Sequence, residues 1–151
     1  MIYPPKGGEP TIMNSINWNR VLLGGIAAGI VAILLMIVVI SPILMPSWEM
    51  GMKMGLWKQP GATNFIIGNV NLLFFGLVAT FTYAAVRPRF GGTANTAILT
   101  GILIAVLKDI IPGIGRWNWS AEPGENILLW IALSSASTVV ATFVGAWIYK
   151  E

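Results

Sequence analysis

Long apolar runs alternate with short polar stretches along this chain. Residues 21–40 are twenty positions without a charge, residues 65–86 twenty-two, and residues 127–149 twenty-three. Residues 94–107 form a shorter run that ends at Lys108 and Asp109. A helix needs about 20 apolar residues to cross the hydrocarbon core of a bilayer. Backbone polar groups in lipid have no water to bond, so each run must satisfy its own hydrogen bonds as a helix. The pattern predicts an all-α polytopic membrane protein with four transmembrane helices, at about 17–41, 64–86, 94–111 and 126–149. Residues 1–19 read as an extended amino-terminal segment and 20–151 as one transmembrane domain.

The connecting stretches refine this picture. Pro42 and Pro46 are expected to end the first helix, because proline lacks an amide donor and crowds the preceding turn. Beyond them Trp48, Met52 and Leu56 recur every four residues, and Glu49 and Lys53 are spaced as an i,i+4 pair. That predicts a short helix over about 47–58 lying in the membrane interface. Arg87-Pro88-Arg89-Phe90-Gly91-Gly92 reads as a tight basic turn, and Thr93 as the cap of the third helix. Pro112-Gly113 is expected to stop that helix, leaving Arg116 to Glu125 as a loop. The amino-terminal stretch carries Pro4, Pro5 and Pro10 and has no core of its own. A segment of this kind frays unless something holds it, either the chain's own helices or a partner, and the partner reading makes Tyr3, Pro4, Pro5 and Lys6 candidate contacts.

Composition narrows the chemistry. The chain of 151 residues is 56% hydrophobic and 10% charged, and it contains no cysteine and no histidine. Disulfides, thiolate chemistry and serine–histidine hydrolysis are thereby excluded. The net charge of +3 comes from positions near helix ends, without the lysine and arginine cluster that neutralises a nucleic-acid backbone. Lys6, Arg20, Arg87, Arg89 and Lys150 fall on one side of the predicted membrane. Lys53, Lys58, Arg116 and, near the boundary, Lys108 fall on the other. Positively charged loops stay in the cytoplasm, so both termini are expected there, in a bacterial cytoplasmic membrane.

Candidate functional residues are few. Lys108 and Asp109 are the only charges inside a predicted span, and intramembrane charges mark function by default. With the third helix ending near residue 111, the pair reads as an anchor at a helix end. Neighbours in an α-helix point about 100° apart, so the two are expected not to pair with each other, and Asp109 is expected to meet Arg116 or another chain. Gly25 and Gly29 on the first helix, and Ser137, Ala141 and Gly145 on the fourth, form small-residue stripes suited to close helix packing. Asn69 and Asn71 are weak cofactor candidates. Met50, Met52 and Met54 are a weak soft-metal set, since thioethers select copper(I).

Three segments resemble an uncharacterised family of small bacterial four-helix membrane proteins: NSINWNRVLLGGIAAG at 14–29, YAAVRPRFG at 83–91 and GAWIYKE at 145–151. The resemblance implies the same four-helix topology, a start at Met13 and an extension over residues 1–12. First helices in that family often carry a polar asparagine/glutamate pair in their second half, whereas residues 31–40 here are wholly apolar. The family brings no activity with it. The expected function is a non-catalytic subunit of a larger membrane complex, with other integral membrane subunits and the bilayer as partners and no nucleic acid. Lipid, carotenoid or chlorophyll are the contacts such a subunit would make. Pigment ligation would need asparagine, methionine or water. The alternative is a small proton- or ion-coupled transporter using Asp109 and Lys108.

Overall fold

The computed structural model describes residues 16–150. The candidate contacts Tyr3, Pro4, Pro5 and Lys6 lie outside them. Four long helices account for nearly all of the described chain: α1 (Trp18–Lys53), α2 (Ala62–Phe90), α3 (Ala94–Trp119) and α4 (Gly124–Tyr149). Each is long and apolar enough to cross a membrane. Local chemistry sets the starts. Asn17 caps α1 by accepting from the Arg20 amide at 3.2 Å, and Thr93 caps α3 by accepting from the Thr96 amide at 3.3 Å. Asn64 acts from inside the first turn of α2, reaching back to the Gly61 amide at 3.2 Å.

The helices are longer than the sequence pattern predicts, and the reason is the same in two of them. Pro42 and Pro112 do not end α1 and α3. Each follows a five-residue π-helical segment, Met36–Ile40 in α1 and Val106–Ile110 in α3. The Ser41 amide bonds the Met36 carbonyl and the Ile111 amide bonds the Val106 carbonyl, five residues back in each case. Proline's ring crowds the carbonyl four residues before it. Those carbonyls belong to Val38 and Lys108, inside the π segments, where the widened turn makes room. The interfacial helix expected at 47–58 is therefore not an element of its own; residues 41–53 continue α1. Likewise α3 runs on to Trp119, and α2 runs through Pro88 to Phe90, with the turn made by Gly91 at φ 84°. Only glycine adopts that backbone readily.

Packing inverts the water-soluble pattern. Most buried positions are small or hydroxyl-bearing, Gly24, Ala28, Ala79, Thr80, Thr100, Ala105, Thr138, Ala141 and Thr142 among them, with Leu44 and Ile127 as large apolar exceptions. Large apolar side chains such as Leu23, Phe65, Phe74, Leu99 and Trp147 point outward. In lipid the outward face costs nothing, and association relies on close backbone approach. Helix α1 packs chiefly on α2 and α4, and α3 on α4. Gly25 and Gly29 lie directly on the backbone of Leu77 and Leu73, and Gly76 lies on Gly25 and Gly29 in return. Gly145 faces Thr80 and Ala28, and Ala141 is buried, whereas Ser137 is half-buried at the side of the stripe.

Candidate functional site

Asp109 is completely buried, at 0% exposure, in the π segment of α3. Its Oδ1 accepts from the Ser134 hydroxyl at 2.7 Å and from the Lys108 ammonium at 2.7 Å. Its Oδ2 accepts from the Thr138 hydroxyl at 2.7 Å. Lys108 Nζ also donates to Thr138 Oγ1 at 3.3 Å and stands 5.0 Å from the centroid of the Phe75 ring. Thr138 thus accepts from the cation and donates to the anion. Ser134 and Thr138 are four residues apart, one turn of α4, so both hydroxyls face the same carboxylate. One turn further along, Thr142 is buried and donates to the Thr138 carbonyl at 2.7 Å.

Two expectations are corrected here. Lys108 and Asp109 do pair with each other. The π turn changes the angle between successive side chains, and the flexible four-carbon lysine stem closes the remaining gap. The pair is also not at a helix end. The midpoint of Ala94–Trp119 falls between Val106 and Leu107, so Asp109 is about 4 Å from it at ~1.5 Å per residue. The midpoint of Gly124–Tyr149 falls between Ala136 and Ser137, and Ser134 and Thr138 bracket it. Two helices independently put the cluster near mid-span.

Arg116 does not reach Asp109. It pairs with Glu122 at 2.5 Å and lies over the rings of Trp57 at 4.4 Å and Trp130 at 5.6 Å. This cluster fastens the 54–61 connection and the start of α4 to the end of α3. The two ion pairs among the described residues are Lys108–Asp109 and Arg116–Glu122, so Glu49 and Lys53 do not form one. They line a shallow cavity of about 250 Å³ with Met52 and Gln59. Met50 and Met54 are exposed, and Met52 is half-buried. Asn69 bonds its own helix, donating to the Phe65 carbonyl at 2.8 Å, and Asn71 is exposed. None of these residues contacts Asp109, whose partners are Lys108, Ser134 and Thr138.

The sequence puts Ser134, Ser135, Ser137, Thr138 and Thr142 on α4, but nothing in their spacing names Asp109 as the partner of Ser134 and Thr138. Comparison with known protein families, with curated proteins and with solved structures finds no match.

Proposed function

We propose that this chain is a small multi-pass membrane protein that moves a proton or a small cation through an acidic site at mid-span. Asp109 binds the ion and Lys108 is its charge partner. The observation that carries the reading is a wholly buried carboxylate, near the midpoint of two helices, held by hydroxyls and one ammonium. A charge at that depth costs about 3 kcal/mol even on the lenient insertion scale, and such residues persist where they work. A buried ion pair is weak evidence for stability, because an apolar replacement of the pair is often neutral. Fastening α3 to α4 would not need ions.

The proposed step is simple. The step starts from the Lys108–Asp109 ion pair, a neutral cluster. A proton arriving at the carboxylate removes its charge, releases the Lys108 ammonium and leaves the cluster with one positive charge. Loss of the proton restores the pair. A cation such as Na⁺ would act in the same way by displacing the ammonium. The buried hydroxyls of Thr138 and Thr142 run from Asp109 toward the end of the bundle that holds Arg87 and Lys150. No catalysis is proposed: the remaining described carboxylates, Glu49, Glu122 and Glu125, lie at the opposite end. That end carries both signs, while Arg20, Arg87, Arg89 and Lys150 crowd the other, which we place in the cytoplasm of a bacterial cell.

The test is flux in liposomes containing a pH-sensitive dye, with a diffusion potential or a Na⁺ gradient imposed. Wild type should acidify the lumen and Asp109→Asn should not. Flux that is absent in wild type, or equal in the variant, removes the proposal.

A second reading, the accessory subunit of a larger complex, is favoured by Lys108 itself. Its side chain is 36% exposed at mid-span, where lipid solvates an ammonium poorly. A neighbouring subunit would cover it. Mass spectrometry of the natively purified protein decides: co-purifying chains, lipids or pigments support this reading, and an isolated monomer counts against it.

A further inference from the structure

One end of the bundle collects cations. Arg20 opens α1, Arg87 and Arg89 close α2, and Lys150 comes directly after α4. The described carboxylates lie elsewhere: Asp109 at mid-span, and Glu49, Glu122 and Glu125 at the far end. Between the helix ends sits a cavity of about 230 Å³ lined by Ala84, Arg87, Pro88, Gly92 and Tyr149. Tyr149 is buried against Tyr83, ring centroids 6.1 Å apart, and its hydroxyl accepts from the Asn17 amide at 3.3 Å.

The arginines at this end differ in their contacts. Arg20 donates to the Lys150 carbonyl and so closes the end of α4. Arg87 rests over the Tyr149 ring at 5.7 Å. Among the described residues its guanidinium meets no carboxylate. Gly92 shapes the room around it: a Cβ there would lie 2.7 Å from Arg87 Nε and 3.3 Å from one terminal nitrogen. The amino end of α3 opens two residues later, at Ala94, adding positive potential of the same sign. Arginine's planar fork matches phosphate oxygens two at a time. The cavity is smaller than the ~300 Å³ at which pockets for drug-sized ligands begin, and it sits at a helix end, at headgroup depth.

We propose that this cavity binds a phosphate group, with Arg87 as the bidentate donor and Tyr149 as its platform. The phosphate is supplied either by an anionic lipid headgroup or by free phosphate. Basic pockets between transmembrane helices recognise headgroups by this chemistry.

The experiment uses the full chain in neutral detergent. Thermal unfolding and native mass spectrometry are run with phosphatidylglycerol, with phosphatidylcholine and with inorganic phosphate. Wild type should retain phosphatidylglycerol and unfold at a higher temperature, with a smaller effect from phosphatidylcholine, whose phosphate is the same but whose choline cation the surrounding Arg20, Arg89 and Lys150 oppose. Protection by inorganic phosphate alone would assign the site to the free anion. Arg87→Gln should weaken binding at least tenfold, and Arg89→Gln, with the same change in net charge, should not. Arg87→Lys, which keeps the charge and loses the fork, and Gly92→Ala, which displaces the guanidinium, should each weaken it too and cover the case of a poorly folded Arg87→Gln protein. Equal losses in the Arg87 and Arg89 variants would reduce the effect to diffuse charge and overturn the proposal. So would equal retention of the two lipids with no protection by phosphate.

Discussion

Substitution of Gly76 by alanine tests the central physical claim, that backbone contact between α1 and α2 holds the bundle. A Cβ at Gly76 would fall 2.2 Å from the Gly25 carbonyl oxygen, 2.4 Å from the Gly29 nitrogen and 2.8 Å from the Gly29 Cα. All three atoms are backbone, so no side chain can swing aside. Ordinary contact begins near 3.4 Å, so the helices must separate locally by about 1 Å. A gap of that size forfeits a quarter to a half of each dispersion well. Over a few tens of atom pairs at 0.1–0.2 kcal/mol each, the loss is about 2 kcal/mol, within the usual range for overpacking. Gly68→Ala is the control, because the same helix offers nothing within 4 Å of a Cβ there. It should be neutral, or stabilising by up to ~1 kcal/mol from helix propensity. Reversible denaturant unfolding in mixed micelles, followed by circular dichroism and tryptophan fluorescence, measures both. The expected gap between the variants is about 2 to 3 kcal/mol, some thirty-fold or more in the folding equilibrium. Equal stability would refute close glycine packing as the source of cohesion.

Asp109→Leu and Lys108→Met should each cost about 3 kcal/mol, because each leaves an unpaired charge, while the double variant should return to within ~1 kcal/mol of wild type; a double variant that is stable yet still conducts would detach the pair from function. Pro112→Ala should let the Val106–Ile110 segment relax toward an α-helix and turn Asp109 away from α4. Ser134→Ala, worth about 1 kcal/mol in wild type, should then cost less in the Pro112→Ala background, and an unchanged cost in that cycle would show that proline does not set the geometry. Arg116→Gln should lower stability by about 1 kcal/mol through loss of cation–π and ion-pair contacts and shift the emission of Trp57 and Trp130; unaltered emission would disprove the latch. The chain has no cysteine, so single cysteines report orientation without background. Those at Arg89 and Lys150 should label from one side of the membrane and one at Lys58 from the other.

The four spans were readable because an uncharged run of twenty residues has few alternatives in lipid, and the start of α3 was readable because Thr93 has few other uses beside Gly91-Gly92. The site was not, and the cause is local. Proline at 42 and 112 signals a helix stop on any short-range reading, since the missing donor and the ring clash both oppose continuation. Each objection is answered a few residues earlier, by a π segment that has no composition of its own: Met36–Ile40 is wholly apolar, while Val106–Ile110 holds Lys108 and Asp109. Ending α3 at Pro112 moves Asp109 from mid-span to the boundary and turns a buried carboxylate into an anchor. The eight further residues, Pro112 to Trp119, reverse that conclusion. They also explain the solvent preference at the far end, where Trp119, 88% exposed, and Arg116 suit headgroups better than hydrocarbon. The depth of Asp109 thus depends on the residues carboxy-terminal to it, and the geometry that allows the helix to continue is the geometry that closes Lys108 onto Asp109. A proline that merely ended the helix would have left the carboxylate with water; one that is accommodated leaves it to Ser134, Thr138 and whatever ion can compete with an ammonium.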